Sequence, residues 1–333
     1  MGGPERSWRW LLIGAVGLLQ GCAFLPPLPQ ANLDDHSSAP AEAPGAWKVE
    51  RIDSRKIRES SGLVKSRTHP DVFWTHNDSG GEPRIFAITS RGEMLAEYEI
   101  TGVEAIDWED IAIDDSGNLY IADFGNNLNR RTDLTIYRVP EPDPLLAVRT
   151  ARSDRKYRFR YSEQTRVPSH RPANFDAEAL FWMEDDLYVL TKHRSDLESV
   201  LLRIPGSAGE TELVLEPLMR FDVSQGRRTI FGLQARDVWH DFFGMVTAAD
   251  LSPDGQTLAL LTYYAIFLYE RTPEGDVAGR PFELLHHIDL DSRRLGQVES
   301  IAWADDALIF GNEKGALYRI PLEALTTLAG YPP

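Results

Sequence analysis

Along most of this chain the hydrophobic positions fall in short runs, and Gly, Asp, Asn and Pro separate them. Such runs predict strands joined by tight turns. They also recur in a fixed order. A polar lead-in opens each copy: ESSGLV at Glu59–Val64, DWEDIAI at Asp107–Ile113, DAEALFW at Asp176–Trp182, TAADLSP at Thr247–Pro253 and QVESIAW at Gln297–Trp303. A turn and a second strand follow: VFWTH, LYIAD, LYVLT, LALLT and LIFGN. After a polar loop comes a third strand: RIFAI, TIYRV, VLLRI, AIFLY and ALYRI. Outer strands close most copies: EMLAEYEI, KYRFRY, ELVLEPLMRF and FELLHHIDL.

Repeats of this length, each built as a four-stranded antiparallel unit, predict an all-β fold, a β-propeller. The fifth copy lacks its own outer strand. WKVERI at Trp47–Ile52 is available to supply it and so join the two ends of the chain, leaving no blade face bare. The spacing is uneven, with insertions near Pro140–Asn174 and Pro205–Val246. A sixth blade has room in the second, but RRTIFGLQARDVWHDFFGMV there shows no clear pair of short strands, so five blades are expected. A β-sandwich with a second domain does not account for the repeat.

The N-terminus departs from this pattern. Arg6 and Arg9 precede the apolar run WLLIGAVGLLQ, and Gly21–Cys22 follows it, the layout of a secretory signal. The run is too short to span a bilayer comfortably. LLQGC resembles a bacterial lipobox, which implies cleavage after residue 21 and a lipid anchor on Cys22. Cys22 is the only cysteine, so no intramolecular disulfide exists. Several acyl chains hold a protein where one is marginal. Ala23 in place of Asp resembles the outer-membrane default, facing the periplasm or the surface. Residues 22–46, rich in Pro, Ala, Ser and acid, read as a disordered tether, and the propeller domain is expected over 47–333.

Charge narrows the function. Asp plus Glu number 51 against 35 Lys plus Arg, a net charge of -16. That excludes a basic phosphate-binding footprint, so nucleic acid is not an expected partner. Propeller connectivity sends each lead-in and each loop between the second and third strands to one face, around one end of the central channel. The lead-ins place Glu59, Asp107, Glu109, Asp176, Glu178, Asp250 and Glu299 there. The loops add His76, Asn77, Asp78, Asp123, Asn126, Lys192, His193, Arg194, Tyr263, Asn312, Glu313 and Lys314. Function concentrates on such loop clusters.

Carboxylates and amide oxygens are hard ligands suited to Ca²⁺, and the metal candidates are Glu59, Asp107, Glu109, Asp176, Glu178 and Glu299. Without a cation, converging carboxylates raise one another's pKa. The other loop residues are candidate contacts for a small molecule, glycan or protein. The bland alternative is that the acids cap turns and tie neighbouring blades together. No HExxH zinc spacing is present. NDSGG at Asn77–Gly81 precedes no helix and is not a phosphate loop, and no Gly-x-Ser-x-Gly elbow occurs around DSG. Trp74, Trp108, Trp182 and Trp303 read as packing residues.

WTHNDSGG, DWEDIA, YIADFGNN, IYRVPEP, DAEAL, LTKHR, TAADLSPDG and QVESIA together resemble a family of secreted bacterial β-propellers with no firmly assigned reaction, from about Arg58 to Ile320. DAEAL and VESIA more distantly resemble the acidic motifs of phytase-like and esterase-like propellers. That likeness implies a ring of carboxylates holding Ca²⁺ around phosphate. Ala249 and Ser61 stand where the other copies have Glu, which interrupts such a ring. Two functions follow as expectations. One is an envelope-anchored binding module acting through its acidic face. The other is a Ca²⁺-dependent phosphoester or ester hydrolase, with Lys192, Arg194 and Lys314 on the anion and Glu109 or Glu178 activating water.

Overall fold

A computed structural model describes residues 48–167, 174–223, 245–272 and 281–329. The signal segment, Cys22, the tether and Trp47 lie outside these residues, as do residues 224–244 of the insertion before Val246.

Five sheets form the domain. The first is β2 (Ser60–Lys65), β3 (Phe73–Asn77), β4 (Arg84–Ile88) and β5 (Met94–Thr101), with β9 (Thr150–Arg152) added parallel to β5 at its edge. The second is β6 (Trp108–Ile113), β7 (Asn118–Asp123), β8 (Thr135–Pro140) and β10 (Arg155–Tyr161), edged by β14 (Leu213–Leu215). The third is β11 (Ala177–Met183), β12 (Asp186–Thr191), β13 (Glu198–Pro205) and β15 (Pro217–Asp222). The fourth is β16 (Val246–Leu251), β17 (Thr257–Thr262), β18 (Ala265–Arg271) and β19 (Phe282–Asp289). The fifth is β20 (Val298–Trp303), β21 (Ala307–Asn312) and β22 (Ala316–Pro321). Its outer strand is β1 (Lys48–Arg51), as the sequence predicts, paired antiparallel to β22 from Lys48↔Arg319 to Arg51↔Ala316. Short helices α1 (Ser292–Leu295) and α2 (Leu322–Ala329) flank this last sheet.

The inner strands close a cycle: β2 touches β6, β6 touches β11, β11 touches β16, β16 touches β20 and β20 touches β2. A sixth blade in the second insertion would have to part β11 from β16, so the propeller has five blades. One outer strand differs from expectation. ELVLEPLMRF is two strands, β14 pairing with β10 of the preceding blade and β15 completing its own. Pro217, which has no N–H to donate, opens β15 at the sheet edge, where proline is tolerated.

Five hydrophobic clusters fill the spaces between neighbouring blades. Ile111 and Ile113 of β6 face the first blade while Ala112 faces the third. In β7, Leu119 and Ile121 go one way, Tyr120 and Ala122 the other. Successive side chains of a strand point to opposite faces, and here both faces are buried. The middle strands therefore read as continuous apolar runs rather than as alternation. Trp74, Trp108 and Trp303 are buried in these layers and Trp182 packs against one, the packing role expected of them.

The ring depends on β1, which joins the start of the described chain to its last blade. A chain beginning at Ile52 loses four backbone-paired positions. At about 1 kcal/mol per net hydrogen bond it should melt roughly 10 °C lower. Calorimetry of the two chains checks this; an unchanged midpoint would show that the closure contributes nothing.

Candidate metal centre at the channel mouth

Each inner strand carries a bulge at the same height. Pairing skips one residue between Ser61 and Leu63, Trp108 and Asp110, Ala177 and Ala179, Val246 and Ala248, and Val298 and Ser300. The skipped residues are Gly62, Glu109, Glu178, Thr247 and Glu299. Bulges bend a strand and re-aim a side chain, and here they bring three glutamates to one end of the channel. The fourth blade therefore presents Thr247 at this position, not Ala249. Thr247 ties blades instead, its hydroxyl donating to Val298 O at 2.8 Å. Ser61 does the same to Glu109 O at 2.6 Å.

The loops meet the lead-ins as propeller connectivity requires. Asp78 N donates to Glu59 O (2.8 Å), Gly125 N to Asp107 O (3.1 Å), Lys192 N to Asp176 O (2.8 Å) and Glu313 N to Gln297 O (3.1 Å). Asp78, Asp107, Glu109, Asp176, Glu178, Glu299, Lys192, Arg194 and Tyr263 are thereby gathered at one mouth. Carboxylate oxygens of Asp78, Asp107 and Glu109 lie within 4.8 Å of one another, and so do those of Glu109, Asp176 and Glu178. Glu109, Asp176 and Glu178 are 3%, 1% and 4% exposed.

The two triads differ in what neutralises them. Lys192, itself buried, places Nζ 2.6 Å from Glu178 Oε1 and donates to Tyr263 OH at 3.3 Å. Tyr263 OH donates to Glu299 Oε1 at 2.9 Å. Arg194 bonds Asp176 Oδ2 at 2.9 Å and also reaches Asn127. Asn126 N donates to Asp176 Oδ1 at 2.6 Å. The Asp176–Glu178 side thus has two cations of its own. Neither cation makes an ion pair with Asp78 or Asp107. Burial, then the charges of Glu178 and Asp107, push Asp78 up to about 7. Burial, Glu178 and Asp176 push Asp107 up to about 7 as well. Glu109 is raised well above the usual carboxylate range by burial and by Glu178, Asp78 and Asp107. Burial likewise raises Glu299. Burial opposes the charge of Lys192, yet Glu178 above all holds its pKa above the ordinary value.

Other predicted site residues serve the scaffold. Asn77 ties the segment before β2, accepting from Arg58 N at 2.9 Å and donating to Lys56 O at 2.9 Å. Asn126 holds its own loop through Arg130 N and Arg131 N, and Asn312 bridges Leu295 O and Ala316 N. His193 Nδ1 lies 2.7 Å from Asp196 Oδ1. His76 is fully buried beside Trp108, its Nδ1 shares a hydrogen bond with Asn77 O, and burial drops its pKa to about 4, so it is neutral. Glu59 and Lys314 are exposed at the rim, and Glu313 accepts from Gln297.

Asp250 is not at the mouth. It pairs with Ala259 near the far end of β16 and accepts from Trp303 N at 2.8 Å, so it joins the fourth blade to the fifth. The lead-in of that copy starts at Val246, and the acid that appeared to open the strand belongs to its other end.

Three residues outside the candidate set support the site. Asp110 accepts from Leu180 N at 2.8 Å, tying the second blade to the third. Arg131 pairs with Asp123 at 2.8 Å, and Asp123 accepts from Asp107 N at 3.0 Å, fixing the lead-in. Gly125 leaves space for the acids. A Cβ there would overlap Glu109 Oε1 and lie 2.5 Å from Asp107 Cγ. Its place in the DFGNN loop was the only available signal.

No family model and no curated protein matches the chain. Among solved structures, selenomethionine-substituted virginiamycin B lyase from Staphylococcus aureus is similar over 79% of this chain and 66% of that one, at 15% identity and a TM-score of 0.36. A chain of the mitotic checkpoint complex is similar over 78% of this chain and 62% of that one, at 12% identity and a TM-score of 0.35. This chain spans less than two thirds of either. The five-bladed fold rests on the sheet pairing and the closed cycle of inner strands.

Gly125→Ala should leave the propeller folded and displace Glu109 and Asp107. A cation held there would then bind on the order of 10–100-fold more weakly. Cation titration of the folded variant checks this; wild-type affinity would mean that the two acids are not ligands.

Proposed function

We propose that the propeller is a binding module whose channel mouth holds a hard divalent cation, Ca²⁺ in the first instance, on Asp78, Asp107 and Glu109. The observation that carries this reading is the convergence of these three carboxylates within 4.8 Å with Asp78 and Asp107 in no ion pair among the described residues, beside a second triad whose Glu178 and Asp176 are paired to Lys192 and Arg194. Oxygen ligands in loops suit Ca²⁺, which accepts irregular geometry and keeps positions open for water or for ligand oxygens. A partner bearing carboxylate, hydroxyl or carbonyl oxygens would complete the coordination. Lipidation of Cys22 would hold the module at the bacterial envelope, and the acidic composition fits a partner other than nucleic acid.

Hydrolysis of a phosphoester or ester is the second reading. Asp78 and Asp107 favour it, because a carboxylate with a pKa about 7 has the basicity of a general base at neutral pH.

The proton linkage has a definite sign. Asp78 and Asp107 titrate higher in the folded protein than the ordinary 3.8, so the cation-free fold loses stability as pH rises through about 7. Cation binding needs the ionised carboxylates and strengthens over the same interval. At pH 8, Ca²⁺ a hundred-fold above Kd should add about 2.7 kcal/mol, or about 5 °C in melting temperature. The gain should shrink at pH 5.5 and vanish in Glu109→Gln. Absence of any Ca²⁺ effect at pH 8 would refute the metal reading. In the same preparation, Ca²⁺-dependent turnover of a phosphoester and ester panel that Asp107→Asn abolishes would make the site catalytic. Binding without turnover would leave it a binding site.

Cys22→Ser should move the full chain from the membrane to the soluble fraction on cell fractionation. Retention of the variant in the membrane would refute the anchor.

A further inference from the structure

The two carboxylate triads share Glu109, and each has the spacing of a cation site. Lys192 is what separates their chemistry. Its ammonium lies 2.6 Å from Glu178 Oε1, close to the 2.3–2.6 Å at which Ca²⁺ meets oxygen. It also interacts electrostatically with Glu109, Asp176 and Asp78. The residue is 5% exposed, and its charge lies 5.3 Å from the Tyr263 ring centroid. Burying an ammonium is costly unless it is paired, and here it is paired to the same acids that would otherwise ligate metal. An independent observation points to the same spot. Glu299 is 6% exposed, its Oε1 is held by Tyr263 OH, and its Oε2 has no partner. Tyr263 is the group that Lys192 donates to, so this free buried oxygen belongs to the lysine's surroundings.

We propose that Lys192 is a built-in cation occupying the second position of a two-cation mouth, so that the Glu109–Asp176–Glu178 triad becomes a divalent-cation site once the ammonium is removed. The wild-type protein then takes one ion, on the Asp78 side. This inference builds on the metal reading above, but its test does not depend on that reading. A lysine in this place keeps one half of the mouth charged and ordered whatever the cation supply. Arg194, paired with Asp176, supports the same half from the rim.

The experiment counts bound Ca²⁺ by native mass spectrometry, at pH 8, for the wild type, Lys192→Met and Lys192→Met/Glu178→Gln. The expected counts are one, two and one. Lys192→Met should also gain more melting temperature from Ca²⁺ than the wild type does. Equal counts in Lys192→Met and the wild type would overturn the proposal, as would an extra ion that persists in the double variant. If the wild type binds none and Lys192→Met binds one, lost in the double variant, the metal reading fails and the lysine proposal stands. Should Lys192→Met fail to fold without cation, Ca²⁺ should restore it. A variant that stays unfolded at saturating Ca²⁺, while Lys192→Arg folds, would also overturn the proposal.

Discussion

Ring closure is the constraint on which the rest of this structure depends. Five sheets packed face to face bring their inner strands into mutual contact, and residues at one height on those strands then share a single narrow axis. A bulge at the same height in every inner strand turns a repeated sequence position into a spatial cluster. Glu109, Glu178 and Glu299 are far apart in the chain and neighbours at the mouth for this reason alone. Without neighbouring blades the same acids would be three solvated bulge residues on separate strands.

Closure has an electrostatic cost. Carboxylates leave water and approach like charges, and both effects disfavour ionisation. The mouth meets the cost in two ways. On the Asp176–Glu178 side, Lys192 and Arg194 supply opposite charge in fixed geometry. On the Asp78–Asp107 side the raised pKa values leave a proton or an external cation to do so. Away from the mouth, Asp110 and Asp250 answer with backbone N–H groups of the next blade. The same residue type is thus a strut in the channel and a candidate ligand at its rim.

The fold was largely legible because each blade repeats the same local signals: a polar lead-in, a turn, an apolar strand, a loop and a strand rich in aromatics. Even β1 could be placed, since the fifth copy lacked an outer strand. The errors came from features with no local signature. A one-residue bulge hides in a strand, so Ala249 and Ser61 align with Glu109 in the sequence where Thr247 and Gly62 do in the structure, and Asp250 reads as opening β16 when it lies near the far end. The crossing of Leu213–Leu215 to the neighbouring blade is visible only in the pairing. Asp110 sits beside Glu109 in DWED, and only the approach of Leu180 from the next blade distinguishes an inter-blade tie from a mouth carboxylate. Arg131 and Gly125 matter because of Asp123, Asp107 and Glu109, which the pairing of β6 with β7 in their own blade brings near them. The acidic mouth was readable as a set of residues. Its division into a half whose acids are ion-paired and a half whose acids are not rests on distances.

The most direct test of a mouth that exchanges protons for a cation is isothermal titration of the purified domain with CaCl₂ at pH 7, repeated in buffers of different ionisation enthalpy. A site built on Asp78, Asp107 and Glu109 should bind one ion, with a heat that depends on the buffer in proportion to protons released. Binding with no buffer dependence, or no binding, would contradict it.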